Sequence, residues 1–167
     1  MTCVMNLEVW HPDLSRVICT GKSKNVGREN WLRALDHAVS VFGRGRVVSS
    51  FVTGIGHKES LLEGCQYLTE KGISPLLILW TPMVGSKFEE HRSLTPEWHL
   101  EMTEKIVDLM EKFIPEMFIE EAVQQALYHR TCYRRWSTGM QHDEIRRRVG
   151  GVERRLKMDK VENETVA

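Results

Sequence analysis

Three segments of the chain have the hydrophobic pattern of β-strands. Residues 3–10 alternate apolar and polar side chains, residues 46–53 are rich in β-branched side chains, and residues 75–80 are almost wholly apolar. A continuous apolar run is typical of a strand that is covered on both faces, as in a parallel sheet. The pattern therefore predicts three strands, the third of them buried on both sides.

Helical segments alternate with these strands. Apolar residues recur at helical spacing over residues 28–42 and 58–71, and glycines close both segments. Thr95-Pro96-Glu97 provides the N-cap hydroxyl, first-position proline and early acid that begin a third helix. Residues 20–27 have the composition of a loop. This alternation predicts an α/β fold with parallel strands, either half of a (β/α) barrel or a small doubly wound sheet.

The chain after residue 115 has a basic, helical pattern. We interpret residues 116–157 as a helical basic extension and residues 158–167 as a disordered tail. Acidic residues accompany the arginines, which favours an ion-paired, solvated helix over a nucleic-acid interface. His129 and Cys132 lie close in sequence, but two ligands do not make a metal site. The arginines that dominate this region are Arg130, Arg134, Arg135, Arg146, Arg147, Arg148, Arg154 and Arg155.

Composition limits the class of protein. The 167 residues suit one domain, and 23 basic against 23 acidic side chains give a formal net charge of +0, so no overall charge draws the chain to nucleic acid or anionic lipid. No apolar run approaches the ~20 residues that a membrane span needs, and the first residues do not resemble a signal peptide. The four cysteines are far apart, as expected of reduced thiols. We therefore expect a cytoplasmic protein.

In parallel α/β folds, ligands bind at the carboxyl ends of the strands. Asn6 and Glu8 end the first strand and, two residues apart, would share a face suited to a vicinal diol or an ammonium group; a solvated strand end is the alternative. Gly54-Ile55-Gly56 follows the second strand, where it either admits a ligand or forms a tight turn; Glu59 replaces the third glycine of a dinucleotide fingerprint. Residues 80–86 follow the third strand and either form an apolar surface on which a purine could lie or pack into the core and form a turn.

In order and spacing, these segments resemble the second half of a radical S-adenosylmethionine (SAM) enzyme of the biotin synthase and hydrogenase-maturase type. Asn6-Leu7-Glu8 resembles the fourth-strand motif whose acid contacts the SAM ribose or amino group. Residues 50–54 resemble the fifth-strand motif that supports the methionine moiety and adenine, and residues 79–86 resemble the sixth-strand end whose backbone reads adenine. The resemblance covers residues 4–113 and implies that residues 1–115 form a partial (β/α) TIM-type barrel of about three βα units, with a helical C-terminal extension.

The chain departs from the family pattern in three respects. It lacks the Cys-x-x-x-Cys-x-x-Cys motif that binds the [4Fe-4S] cluster, together with the βα units that would hold it. Trp31 aligns with the arginine that often holds the SAM carboxylate, so only nearby Arg28 could serve, and Ser50 replaces the first glycine of the fifth-strand motif. The resemblance thus implies a cluster on a missing N-terminal half or a partner chain, and no activity of this chain alone.

The SAM-binding residues that the resemblance implies are Asn6, Glu8, Arg28, Ser50, Gly54, Trp80, Thr81 and Met83. It assigns no catalytic residue and no metal ligand to this chain, and the small-molecule substrate is not readable from the sequence. A second interpretation is a non-catalytic interaction module whose C-terminal arginines bind RNA or an acidic partner.

Overall fold

The structure, a computed structural model, describes residues 2–115. In this part of the chain, three parallel strands form one sheet in the order β1-β2-β3, with β1 at Cys3–Val4, β2 at Val47–Thr53 and β3 at Ile73–Leu79. β2 and β3 pair along their whole length, from Val47 opposite Ile73 to Thr53 opposite Leu79. The predicted mixed α/β architecture with parallel strands is confirmed.

Five helices accompany these strands in the described residues. They are α1 at Pro12–Ile18, α2 at Thr20–Asn25, α3 at Arg28–Phe42, α4 at Lys58–Glu70 and α5 at Pro96–Phe113. The predicted N-cap of α5 is confirmed, because Thr95 Oγ1 accepts a hydrogen bond from the backbone N–H of Trp98 at 3.3 Å. None of the described helices is long and apolar enough to cross a membrane.

Two predicted elements are wrong at the start of the chain. The first strand ends at Val4 rather than continuing to residue 10, and residues 20–25 are helical rather than a loop. Pro12 is the first residue of α1, where its missing N–H costs nothing, and Asp13 lies in the first turn. The chain therefore folds back over the end of β1 as a pair of short helices.

The core lies where α4 and α5 pack on the sheet. Apolar side chains from both layers are buried there, and Gly64 of α4 allows the ring of Trp10 to approach the helix backbone. The sheet and α5 contribute the fully buried residues Val47, Phe51, Ile73, Met102, Ile106 and Met110.

The third strand is not covered along its whole length. Its first residues are buried as predicted, but Ile78 and Leu79 are 41% and 50% exposed. In the described residues β3 is an edge of the sheet, so its carboxyl end lacks the neighbour that would bury these side chains. The predicted extension at 116–157, the tail at 158–167, His129, Cys132 and the arginines lie outside the described residues.

Candidate ligand site at the carboxyl ends of the strands

The pairing between the first segment and β2 shifts by one residue at the carboxyl end. Cys3 pairs with Val47, whereas Glu8 pairs with Phe51, so the first segment contains one more residue than β2 between the two pairings. This is the geometry of a β-bulge, which bends the chain and redirects side chains at a sheet edge. The simple alternation that would put Asn6 and Glu8 on one face does not hold across it.

Polar side chains fill the gap that the bulge leaves in the ladder. The N–H of Leu7 donates to Ser49 Oγ at 3.1 Å, and the N–H of Ser50 donates to Asn6 Oδ1 at 3.4 Å. Regular pairing resumes at Glu8, whose N–H donates to the carbonyl of Ser50 at 2.9 Å. The Asn6 amide thus touches the backbone of β2 next to Ser50, which brings two predicted site residues together.

Glu8 has a strained backbone. Among the described residues it is the non-glycine residue with a positive φ, at 70°. An L-residue in the left-handed region costs about 1–2 kcal/mol. Such strain persists only where surrounding contacts enforce it, and it concentrates at functional sites. The contacts around the bulge therefore hold the Glu8 backbone in a conformation that a regular strand does not adopt.

Lys22 of α2 lies beside these two residues. Its ammonium group donates to the carbonyl oxygen of Asn6 at 2.6 Å and lies 3.4 Å from Glu8 Oε1. The same nitrogen stands 4.5 Å from the ring centroid of Trp31. The charge of Glu8 is thus partly neutralised within the protein. Sequence reasoning missed Lys22 because residues 20–27 were interpreted as a loop.

Ser50 contributes a buried hydroxyl on β2. The residue is fully buried, and its Oγ has no hydrogen-bond partner among the described residues. By strand alternation its side chain leaves the face opposite to that of Phe51. A buried, unpaired polar group costs about 1–3 kcal/mol, so the hydroxyl of Ser50 is a candidate contact for a ligand.

Gly54 directly follows β2 and contacts His91 and Leu94 in the segment that follows β3. Its φ is 88°, and its carbonyl oxygen lies 2.6 Å from His91 Nε2. Because a carbonyl only accepts, Nε2 of His91 carries the hydrogen. A Cβ on Gly54 would stand 3.4 Å from Leu94 Cγ. Glycine therefore suits this position for two reasons: its positive φ, and the close approach of Leu94.

The segment after β3 contains three aromatic rings in contact and exposed residues directly after Trp80. The Trp80 ring lies 5.8 Å from that of Phe88 and 6.3 Å from that of His91, and its Nε1 donates to the His91 carbonyl at 3.2 Å. Thr81 and Met83 are exposed, with Met83 at 68%. Trp80 is held by its own loop, while Thr81 and Met83 are accessible to a ligand.

Arg28, the first residue of α3, packs against Trp10. Its guanidinium stacks 4.1 Å from the ring centroid of Trp10, which in turn contacts Tyr67 of α4 at 5.0 Å. Burial lowers the pKa of Arg28, and Glu29, Tyr67 and Glu63 oppose that shift. The cation beside Glu8 is Lys22, not Arg28.

The described cysteines do not form a metal site. Cys3, Cys19 and Cys65 are free thiols, and burial raises the pKa of Cys65. Burial also raises the pKa of Cys19, although Lys22 opposes the shift. Within residues 2–115 there is no group of three or more His, Cys, Asp or Glu side chains that could hold a metal ion. These residues do not fit an iron–sulfur cluster.

Comparison with known proteins gives one similarity. The chain is 35% identical over 109 residues to the bacteriochlorophyllide c C-7(1)-hydroxylase of Chlorobaculum limnaeum. The match covers 65% of this chain and 27% of the relative, so the chain spans about a quarter of that enzyme. No family model matches the chain, and no solved structure matches it.

Proposed function

We propose that this chain is the SAM-binding portion of a radical SAM enzyme, split or truncated. Together with a [4Fe-4S]-bearing half, it would support reductive cleavage of SAM to a 5′-deoxyadenosyl radical and methionine. The 35% identity to a hydroxylase supports a related activity, because hydroxylation of a carbon requires a C–H bond to be broken. The parallel sheet with polar groups at its carboxyl ends supports the ligand-binding role.

The observation that carries this proposal is the strained bulge at Glu8. A carboxylate and an amide are held at the mouth of a parallel sheet, at the expense of a regular strand end. The backbone N–H of Ser50 contacts Asn6, and the buried hydroxyl of the same residue has no hydrogen-bond partner among the described residues. These groups fit hydroxyl and amine functions of a small molecule.

The ion pair with Lys22 favours the ribose for Glu8. An ammonium group bound to Glu8 would face the ammonium of Lys22, which already lies 3.4 Å from Oε1. A neutral diol has no such repulsion and donates to the carboxylate in the presence of Lys22. In this proposal Glu8 takes the ribose hydroxyls, and Ser50 and Gly54 lie along the ligand.

The apolar loop after β3 is proposed to hold adenine. Trp80 anchors the loop, while Thr81 and Met83 are accessible at its surface. Arg28 stacks on Trp10, and we propose that its guanidinium binds the carboxylate of the SAM methionine moiety.

The cluster belongs to another part of the assembly in this proposal. When bound, it supplies the electron that cleaves the sulfonium. A companion half would also cover the edge at β3, where Ile78 and Leu79 are exposed. The proposal places the complex in the cytoplasm, where thiols stay reduced.

Ligand binding tests this function without the companion. Saturation-transfer NMR on the full chain detects weak ligands. Adenosine and 2′-deoxyadenosine differ only in the 2′-hydroxyl, so only adenosine carries the vicinal diol. We expect adenosine to bind and 2′-deoxyadenosine to bind about tenfold more weakly, as for a lost hydrogen bond to a charged group. Glu8→Gln should abolish this preference, and Glu59→Gln, at an exposed position of α4, should leave it intact. Equal binding of both nucleosides to the unmodified chain would contradict the assignment of Glu8.

A further inference from the structure

The segment between β3 and α5 contacts the end of β2 through His91. The Nε2 atom of His91 lies 2.6 Å from the carbonyl oxygen of Gly54, the residue that directly follows β2. Leu94 packs at the same position, because a Cβ built on Gly54 would stand 3.4 Å from Leu94 Cγ. The segment therefore returns to the sheet at residues 91–94.

His91 also contacts the start of this segment, at Trp80. The indole Nε1 of Trp80 donates to the carbonyl oxygen of His91 at 3.2 Å, and the two ring centroids are 6.3 Å apart. The ring of Phe88 packs against both, at 5.8 Å from Trp80 and 6.2 Å from His91. His91 thus forms hydrogen bonds both to Trp80 and to the end of β2.

The residues between these two contacts are exposed. Thr81, Met83 and Val84 carry exposed side chains, Val84 at 93%. Segments with few buried contacts are the least stable parts of a structure, so the position of these residues depends on the contacts at the base of the segment. Leu94 gives an apolar contact without directional preference. The hydrogen bond from His91 to Gly54, in contrast, constrains both distance and angle.

The hydrogen bond to Gly54 determines the state of the His91 ring. Because a carbonyl oxygen only accepts, the hydrogen of the neutral imidazole is on Nε2, and Nδ1 carries none. A protonated imidazole donates from both nitrogens, so the hydrogen bond does not require a neutral ring. It does require an N–H donor at this place, which a glutamine amide can supply and a phenyl ring cannot.

We propose that His91 is a positioning residue for nucleoside binding, because its hydrogen bond to Gly54 holds the loop that contacts adenine at a fixed distance from β2. The inference rests on the proposed function for the identity of the ligand, and it adds a residue that the resemblance did not imply. His91 acts through Thr81 and Met83 and does not itself touch the ligand. A loop that moved freely would present these contacts at the right distance from β2 only part of the time, which weakens binding in proportion.

The ring state of His91 is measured by NMR on the full chain without ligand, with the histidine nitrogens isotope-labelled. The signals of His91 are identified as those that disappear in His91→Gln. We expect a neutral ring with its hydrogen on Nε2. A neutral ring with its hydrogen on Nδ1 would overturn the proposal, because that tautomer cannot donate to Gly54.

Adenosine binding measures the consequence for the ligand. His91→Phe keeps an aromatic ring but has no donor, so adenosine should bind about tenfold more weakly, as when the competent loop position falls to about a tenth of the population. His91→Gln keeps a donor and should bind adenosine within about threefold of the unmodified chain. His37→Phe, at an exposed position of α3, should have no effect. The preference for adenosine over 2′-deoxyadenosine depends on Glu8 and should be the same in all four proteins.

The outcomes separate this inference from the proposed function. Equal adenosine affinity in His91→Phe and the unmodified chain would overturn the positioning role and leave the assignment of Glu8 intact. Equally weak binding in His91→Phe and His91→Gln would also overturn it, because the loss would then not follow from the donor. A chain that binds neither nucleoside would contradict the proposed function, and the positioning role of His91 would fall with it.

Discussion

The indole ring of Trp10 lies directly against the backbone of Gly64. A Cβ built on Gly64 would stand 2.7 Å from Trp10 Cγ and 2.9 Å from Phe51 Cζ. Alanine is intrinsically better than glycine in a helix by about 1 kcal/mol, but here it would force two rings to move. We expect Gly64→Ala to lower the free energy of unfolding by about 1–3 kcal/mol, the usual cost of overpacking, measured by urea denaturation.

Gly21 provides the matched control for this substitution. It lies in α2, and no atom lies within 4 Å of a Cβ built there. Gly21→Ala should therefore raise the free energy of unfolding by up to about 1 kcal/mol. If both substitutions stabilise the chain, Trp10 does not pack on α4 as described.

The positive φ of Glu8 predicts an unusual order of stability. Glycine adopts φ near 70° without steric cost, whereas alanine does not. We expect Glu8→Gly to be more stable than Glu8→Ala by about 1 kcal/mol in urea denaturation. At Glu29, in the first turn of α3, the order should reverse because glycine is the poorer helix former. The same order at both positions would show that Glu8 is not in the left-handed region.

His99 predicts a loss of stability in mild acid. It is 8% exposed, its Nε2 lies 3.5 Å from Thr53 Oγ1, and burial lowers its pKa. In mild acid the unfolded chain therefore binds a proton at His99 more readily than the folded chain does. The stability that the neutral imidazole contributes is complete above the ordinary histidine pKa of about 6.5 and is lost progressively as the pH falls below it. We expect the free energy of unfolding to fall as pH drops from neutral through this range.

His99→Gln should remove part of this pH dependence, and His37→Gln should not. His37 is exposed on α3 and serves as the control position. Urea denaturation of the three proteins at a series of pH values makes the comparison. Identical pH profiles for the unmodified chain and His99→Gln would contradict the buried, neutral state of His99.

The sequence predicts the elements whose signals are local. α3 and α4 match their predicted ranges to within one residue, because glycines mark their ends, and α5 begins at the predicted Thr95-Pro96 cap. The local sequence did not predict α2 because four of the six residues in Thr20–Asn25, namely Thr20, Gly21, Ser23 and Asn25, are poor helix formers. The packing of two short helices over the strand end outweighs that low helix propensity. No local sequence pattern reveals this packing.

The candidate site was predictable only in part. Asn6 and Glu8 follow β1 and Gly54 follows β2, as expected from the sequence, whereas Ser50 lies in the middle of β2. The bulge depends on cross-strand pairing, so spacing alone suggested an alternation that the structure lacks. Lys22 reaches Asn6 and Glu8 only because α2 folds over the end of β1, a tertiary arrangement with no signature in residue spacing.

In the proposed function, Glu8 binds SAM for its cleavage in an assembly that carries a [4Fe-4S] cluster. The direct measurement is 5′-deoxyadenosine formation from SAM and dithionite by the tagged full chain, purified without oxygen from its own cells together with whatever chains it holds. We expect iron and acid-labile sulfide in the preparation and 5′-deoxyadenosine as a product. Glu8→Gln should form at least about tenfold less product, as for a lost charged hydrogen bond. A preparation without iron, or one in which Glu8→Gln forms as much 5′-deoxyadenosine as the unmodified chain, would contradict it.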